Sequence, residues 1–327
     1  MNLSRILVVG GAGFIGSRLV KRLIDMDLEV RVLDDLSSGS WNGLTGVKDV
    51  VDFIYGDIRN RDVVRKATSG IDAVIHLAGK ISAKESIDKP MEYHEVNVTG
   101  TLNVLDACVT AGVGKFVFSS SASVYGEPSE LPIKENSPLR PLTPYGASKL
   151  AAEHYINAYH RVYGLNTVIL RVFNVYGCRR YFKDHSDVVS RFLERIGEDK
   201  PPIIYGDGFQ TRDFIYIDDV VDAFVLALKE NCPGETFNIG SGKPVSINEL
   251  ADMMLRLSGK EWLKPIHVEP MRGDVRHSYA DISKAMEKLK FRPKTPLEDG
   301  LTKLLKTFQL IKHSSPSLRR LLTDGEG

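Results

Sequence analysis

The chain predicts an α/β protein: a doubly wound parallel sheet followed by a smaller C-terminal α/β unit. Three features carry that expectation. Over about the first 170 residues, short apolar runs alternate with longer amphipathic ones; a glycine-rich turn joins the first run to the first amphipathic segment; and the rhythm changes after Gly177. Strand–helix alternation of this kind builds a parallel sheet with right-handed crossovers.

Strands are expected at Arg5–Val9, 30–33, Asp52–Tyr55, Ala73–His76, 115–119 and Thr167–Val172, most of them unbroken Val, Ile, Leu and Phe. Such composition suits strands buried on both faces. Helical patterns fall between them at 14–26, Arg61–Thr68, 91–111 and Pro144–Tyr163. Beyond Gly177 a helix is expected at 188–198, apolar segments at 202–205 and 214–217, and a helix at 220–229. A strand at Glu235–Ile239 and helices at Ile247–Leu257 and 297–311 complete the pattern. The expected division is a cofactor domain over 1–175, to which 213–240 returns, a substrate-binding domain over 176–315, and a loosely held tail, 316–327.

Bulk properties narrow the function. The chain has 327 residues, with 43 basic against 42 acidic, so a nucleic acid or an anionic membrane is not expected as main partner. Cys108, Cys178 and Cys232 lie too far apart for a disulfide framework or a metal-ligand pattern. The N-terminal apolar run passes straight into glycines, unlike a signal peptide, and no run reaches the roughly 18 apolar residues of a membrane span. A cytoplasmic location is expected.

Gly10, Gly13 and Gly16 lie between the first strand and the first helix in GGAGFIG. The first permits a tight turn, the second lets backbone approach a pyrophosphate, and the third lets the helix pack close to the sheet. The helix N-terminus then offers unpaired N–H groups to phosphate. Asp34 closes the second strand about 20 residues on, where a carboxylate can accept from a ribose 2′-hydroxyl and repel a 2′-phosphate. NAD is therefore expected over NADP. An aspartate that merely caps the next turn is the alternative, and it suits Asp35 better. Asp57 and Ile58 follow the third strand, Leu77, Ala78 and Gly79 the fourth, and Asn97 sits within a helix. Taken alone, each is more often structural; their place at strand ends on the cofactor side gives them weight.

Tyr145 and Lys149 open a long helix at i and i+4, on one helix face. An ammonium near a phenol stabilises phenolate, so Lys149 is expected to lower the Tyr145 pKa and fit it for acid/base work on a sugar hydroxyl. An exposed helix pair is the bland alternative. Against it stands the run Ser119-Ser120-Ser121-Ala122-Ser123-Val124-Tyr125-Gly126, just past the fifth strand, which brings hydroxyls to the same sheet edge.

Taken together, GGAGFIG, the serine run and YGASK resemble the extended short-chain dehydrogenases, and among them the UDP-glucose/UDP-galactose 4-epimerases, over about residues 6–280. The resemblance implies a Rossmann fold and a catalytic set of Ser121, Tyr145 and Lys149. Tyr145 would take the C4 hydroxyl proton while hydride moves to tightly held NAD, and the 4-keto sugar would turn over and be reduced on its other face. The implied cofactor contacts are Gly10, Gly13, Phe14, Ile15, Gly16, Asp34, Ser38, Gly39, Asp57, Ile58, Leu77, Ala78, Gly79, Asn97, Ser119, Tyr145, Lys149 and Phe173. Ser121, Tyr145, Asn174, Tyr205, Arg212, Arg272 and Asp274 would hold the UDP-sugar, the arginines on its diphosphate, which a planar guanidinium can engage bidentately. A homodimer through a four-helix bundle of segments 91–111 and Pro144–Tyr163 is also implied.

One departure stands out. Many relatives carry Gly-Pro-Arg after the Asn-Val-Tyr segment, whereas this chain reads Gly177-Cys178-Arg179-Arg180-Tyr181-Phe182. Arg179, Arg180 and Lys183 suit a solvated loop better than a contact to an acidic sugar. A 4,6-dehydratase needs an acid/base pair where Ala122 and Ser123 stand. A UDP-glucuronate decarboxylase or uronic-acid 4-epimerase shares the Tyr–Lys pair and stays open. A non-catalytic NAD-binding regulator is the reading from another class, and it has no need of all three catalytic residues.

Overall fold

The computed structural model describes residues 3–178, 187–271 and 273–313, with side chains as far as residue 308. In chain order the strands are β1 (Arg5–Val9), β2 (Glu29–Asp34), β3 (Asp52–Tyr55), β4 (Ala73–His76), β5 (Lys115–Ser121), β6 (Thr167–Val172), β7 (Asn174–Tyr176), β8 (Ile203–Tyr205), β9 (Thr211–Tyr216), β10 (Glu235–Ile239), β11 (Pro244–Ser246) and β12 (Ile266–Val268). The helices are α1 (Phe14–Ile24), α2 (Arg61–Thr68), α3 (Ala83–Asp88), α4 (Pro90–His94), α5 (Thr101–Ala111), α6 (Pro144–Tyr163), α7 (Val188–Gly197), α8 (Ile217–Lys229), α9 (Ile247–Leu257), α10 (Ser283–Lys288) and α11 (Leu297–His313).

Seven parallel strands form the main sheet in the order β10-β6-β5-β4-β1-β2-β3. Alternation along β1 sends Ile6 and Val8 to one face and Leu7 and Val9 to the other, and all four are fully buried. On the first face α1 and α8 cover the sheet with Leu19, Val20, Leu23, Val220 and Phe224. On the second, α2, α5 and α6 cover it with Val64, Val104, Leu105, Ala152 and Ile156. The chain lays β2 and β3 to one side of β1, then returns to lay β4 on the other side. That reversal opens a crevice at the carboxyl ends of β1 and β4, the usual ligand position in an open α/β sheet.

A three-stranded sheet, β11-β9-β7, and a two-stranded one, β12-β8, lie beyond the main sheet. A separate core joins β9 to α7, α9 and α11 through Phe192, Phe214, Leu250, Met254 and Leu301. Of the segment 213–240, α8 and β10 lie with the main sheet, while most of β9 belongs to the small one.

Several expected boundaries move. The expected helix over 91–111 is three pieces: α4, a π-helical turn at Glu95–Gly100, and α5. Gly100 packs on Ile58 so closely that a Cβ there would lie 2.5 Å from Ile58 Cδ1, and Thr101 Oγ1 donates to Asn97 O at 2.7 Å across the bulge. The apolar segment 214–217 is the end of a strand, and α8 begins at Ile217 instead of 220. The short elements β7, β11, β12, α3 and α10 span three to six residues, too few for a periodicity to show.

Phe224 is fully buried between α8 and the sheet. Phe224→Ala removes a ring that the tight surround cannot replace, at a cost of about 3–5 kcal/mol. Thermal unfolding should show the melting temperature several degrees lower; an unchanged midpoint would contradict this packing.

Candidate active site

The crevice holds a cavity of about 570 Å³ lined by Gly10, Gly13, Asp34, Ser38, Asp57, Ile58, Leu77, Ala78, Gly79 and Tyr93, among others. Gly10 forms its floor at φ +82°, its N–H donating to Leu33 O at 2.8 Å. A Cβ on Gly10 would lie 2.6 Å from the Ala78 nitrogen, and one on Gly16 only 2.1 Å from Gly10 O. Helix α1 follows Gly13 with no side-chain cap and no acidic residue in its first turn, which leaves its first N–H groups for an anion. Backbone brought this close, an uncapped helix end and an acidic residue on the next strand together fit a dinucleotide.

Asp34 has more work than expected. Its Oδ2 accepts from Ala12 N at 2.9 Å and its Oδ1 from Leu36 N at 2.8 Å, so one carboxylate ties the glycine turn to the turn after β2. It lines the cavity as well, and burial pushes its pKa up while those backbone bonds pull it down. Turn capping, set beside Asp35 in the sequence reading, is therefore shared: Asp35 Oδ1 accepts from Ser37 N at 2.9 Å. A Cβ on Gly39 would fall 3.0 Å from Asp34 Oδ1. Asp57 is gripped by Arg59, whose Nη2 donates to its Oδ2 at 2.6 Å and which holds the carboxyl below its usual range.

Asn97 does not reach into the cavity as a free side chain. Its Oδ1 accepts from Lys80 N at 2.8 Å, and its Nδ2 donates to Lys80 O at 3.0 Å and to Ser148 Oγ at 2.9 Å. It clamps the cavity wall after β4 to the start of α6. Phe14 and Ile15 pack at the boundary with the second core, and Phe173 is buried with Val124, Tyr125 and Ile133. None of the three lines the cavity.

Ser119, Ser121, Tyr145 and Lys149 converge behind the cavity wall. Thr143 caps α6 by accepting from Gly146 N at 3.3 Å, and Pro144 sets its first turn. Tyr145 stands edge-on to the cavity-lining Tyr93, ring centroids 6.3 Å apart. Lys149 Nζ donates to Ser119 O at 2.9 Å and lies 4.8 Å from the centre of the Phe118 ring. A Cβ on Gly79 would come within 3.4 Å of that ammonium.

The electrostatics correct one expectation. Burial pushes the Tyr145 phenol up, and its hydrogen bond with Ser121 pulls it back. The same burial pushes the Lys149 ammonium down to about 8, opposed by the charge of Glu153. Lys149 gives one N–H to the Ser119 carbonyl, and for the phenol burial outweighs the Ser121 hydrogen bond.

Of the substrate-side residues, Asn174, Tyr205 and Arg212 stand on β7, β8 and β9. Asn174 Nδ2 donates to Asp213 O at 3.2 Å, and Tyr205 carries the Arg191 guanidinium 5.3 Å above its ring. Arg212 and Asp274, expected on the ligand, form an ion pair with each other. A Cβ on Gly273 would lie 3.5 Å from Thr143 Cγ2, which sets the 273–274 turn over the α6 N-terminus. Arg272 and the Arg179–Lys183 cluster lie outside the described residues. Tyr93, Ser148 and Glu153 went unnoticed in the sequence. Glu153 had a signal, the i+4 spacing from Lys149; Tyr93 had none, since its meeting with Tyr145 is tertiary.

Comparison with known proteins follows this geometry. The family model described as "NAD dependent epimerase/dehydratase family" matches residues 6–240. A putative UDP-glucose 4-epimerase of Methanocaldococcus jannaschii is 41% identical over 302 residues, covering 92% of this chain and 97% of that one. The UDP-glucose 4-epimerase of Thermotoga maritima, solved with UDP-glucose, superposes with a TM-score of 0.90 at 36% identity, covering 94% of this chain and all of that one. A UDP-N-acetylglucosamine 4-epimerase from Methanobrevibacter ruminantium, solved with UDP-N-acetylmuramic acid, gives a TM-score of 0.89 at 34% identity, with coverage of 95% and 99%.

Gly16→Ala tests the glycine turn. The added methyl meets backbone that cannot move aside, at a cost of about 1–3 kcal/mol. Absorbance of the denatured protein should show little dinucleotide carried through purification; a parental content would mean the turn does not hold it.

Proposed function

The chain belongs to the NAD-dependent epimerase/dehydratase family, and we propose that it inverts C4 of a UDP-hexose of the UDP-glucose/UDP-galactose kind. What carries this reading is Ser121, Tyr145 and Lys149 converging behind Gly79, at the wall of a crevice fitted to a dinucleotide. When bound, NAD supplies a hydride acceptor and donor for C4. The residues proposed to hold it are those set out from the resemblance. Gly10, Gly13, Asp34, Ser38, Asp57, Ile58, Leu77, Ala78 and Gly79 line the cavity itself.

Tyr145 Oη takes the C4 hydroxyl proton and returns it after the sugar has turned. Ser121 Oγ hydrogen-bonds the same oxygen and is the group that offsets the burial of the phenol. Lys149, anchored on the Ser119 carbonyl, supplies positive charge at that wall. The desolvation that raises the phenol also strengthens it as a base once it has ionised. Asn174, Arg212 and Arg272 are proposed to hold the diphosphate and Tyr205 the base, with Arg212 exchanging Asp274 for phosphate oxygens.

Elimination, as in a 4,6-dehydratase, is disfavoured by residue chemistry. Ala122 has no proton to give, and the aliphatic hydroxyl of Ser123 is too weak an acid to stand in for a carboxyl. Relatives that are a UDP-N-acetylglucosamine 4-epimerase and a UDP-glucuronate 4-epimerase make N-acetylated and uronic UDP-hexoses the second reading.

The division of labour proposed is cofactor binding by 1–175 with 213–240 and sugar-nucleotide binding by 176–315. A homodimer through α5 and α6 is proposed as well. It is supported by the exposed Tyr155, Val162 and Tyr163 of α6, which a partner would cover. No helix among the described residues is long and apolar enough to cross a membrane. With near-balanced charge and no membrane partner proposed, the cytoplasm remains the proposed location.

Incubation with UDP-galactose and identification of the product as UDP-glucose tests the reading; no turnover across plain, N-acetylated and uronic UDP-hexoses would sink it. Tyr145→Phe should lower turnover by about 10²–10⁴-fold while NAD stays bound. Activity surviving at the parental level would remove Tyr145 from its role.

A further inference from the structure

Behind the reacting edge lies a buried polar network that the proposed chemistry does not use. Glu153, one turn past Lys149 on α6, is 1% exposed. Its Oε1 accepts from Ser120 Oγ at 2.5 Å and from Arg171 Nε at 3.0 Å, and its Oε2 accepts from Arg171 Nη2 at 2.6 Å. Arg171, on β6, also donates through Nη1 to Tyr125 Oη at 3.0 Å and to Glu135 O at 2.9 Å. Tyr125 Oη in turn donates to Asn238 Oδ1 on β10 at 2.6 Å. A buried ion pair of this kind adds little stability over well-packed apolar side chains, so its placement needs another reason.

The reason lies in Ser120. Successive side chains of a strand point to opposite faces, so Ser120 shares with Phe116 and Phe118 the face that α6 covers. Gripping Ser120 from the helix side fixes the strand end without occupying either neighbour. The Ser119 carbonyl holds the Lys149 ammonium, and the Ser121 hydroxyl holds the Tyr145 phenol. We propose that Glu153 is a positioning residue for the reacting edge: by locking Ser120 against α6 it sets the Ser119 carbonyl and the Ser121 hydroxyl at the spacing that Lys149 and Tyr145, on its own helix, require.

This inference rests on the reading of Ser121, Tyr145 and Lys149 as the reacting set. Charge adds to geometry. On α6 Tyr145 precedes Lys149 by one turn and Glu153 follows it by one, and Lys149 is faced by His76 from β4 and by the Phe118 ring and Ser119 carbonyl from β5. His76 is held neutral, pushed down to about 3 by burial and by Lys149, and Arg171 stands behind Glu153. Glu153 therefore supplies the negative charge that opposes the desolvation of Lys149.

Two variants test the proposal. Glu153→Gln removes the charge and keeps the shape, while Ser120→Ala removes one hydrogen bond and leaves the ion pair intact. Lysine carbon-13 NMR on the substrate-free protein, with Lys149→Met to assign the signal, follows the Lys149 titration directly. In Glu153→Gln its midpoint should fall by about one unit, as expected when a buried opposite charge one helical turn away is lost. In Ser120→Ala the midpoint should stay, while kcat on UDP-galactose falls about tenfold and KM holds within about twofold. Glu153→Asp should recover the titration more than the rate. A parental Lys149 midpoint in folded Glu153→Gln overturns the charge role. A parental kcat in Ser120→Ala overturns the positioning role, and decides it should Glu153→Gln not fold. Absence of epimerisation by the parent protein itself would sink the proposed function, and the NMR titration would still judge Glu153.

Discussion

The order in which strands join the sheet governs everything built on it. Because β2 and β3 extend from one side of β1 and β4 from the other, the chain reverses there and opens a crevice at the carboxyl ends of β1 and β4. The gap is closed by backbone: Val9 O accepts from both Leu77 N and Ala78 N, and Gly10 stands against Ala78 too closely for a side chain. A floor made of main chain presents N–H groups and little bulk, which suits a pyrophosphate. The adjacent β5 end then delivers the serine run to the same edge, and α6 leans over it.

Burial opposes charge throughout this edge, and the protein answers with polar contacts instead of water. Lys149 is desolvated and leans on a carbonyl, an aromatic face and the charge of Glu153. Tyr145 is desolvated and has the Ser121 hydroxyl. A dry site of this kind makes each remaining dipole count for more than it would in water. It also explains the polar network behind the edge: a carboxylate that must act on a buried ammonium has to be buried itself, and a buried carboxylate needs Arg171 and Ser120 to be tolerated. Asn97 shows the same economy, satisfying Lys80 at both backbone atoms while holding Ser148 of α6. The π-helical turn that carries it arises where Gly100 presses on Ile58.

The main sheet was legible from the chain alone, because strands buried on both faces are nearly pure Val, Ile, Leu and Phe and declare themselves without partners. The glycine turn, Asp34, and the Tyr145–Lys149 spacing were legible for a similar reason: each depends on neighbours within about 25 residues of sequence. The three-residue strands β7, β11 and β12 exist through pairing with distant segments, and no local signal marks them. The same holds for Tyr93 against Tyr145, Glu153 with Ser120 and Arg171, and the Arg212–Asp274 pair.

The residues by themselves therefore determined the fold class and the place of the glycine turn, which follow from periodicity and glycine sterics, and they singled out the side chains proposed to react, through helical spacing and the family resemblance. Tertiary structure decided how those side chains are charged and held. A pKa depends on what surrounds a group in three dimensions, and burial of the α6 face turned the expected lowering of Tyr145 into a rise. It also made Asp34 a brace for the glycine turn as well as a wall of the crevice, because only the folded chain brings Ala12 and Leu36 to its two oxygens.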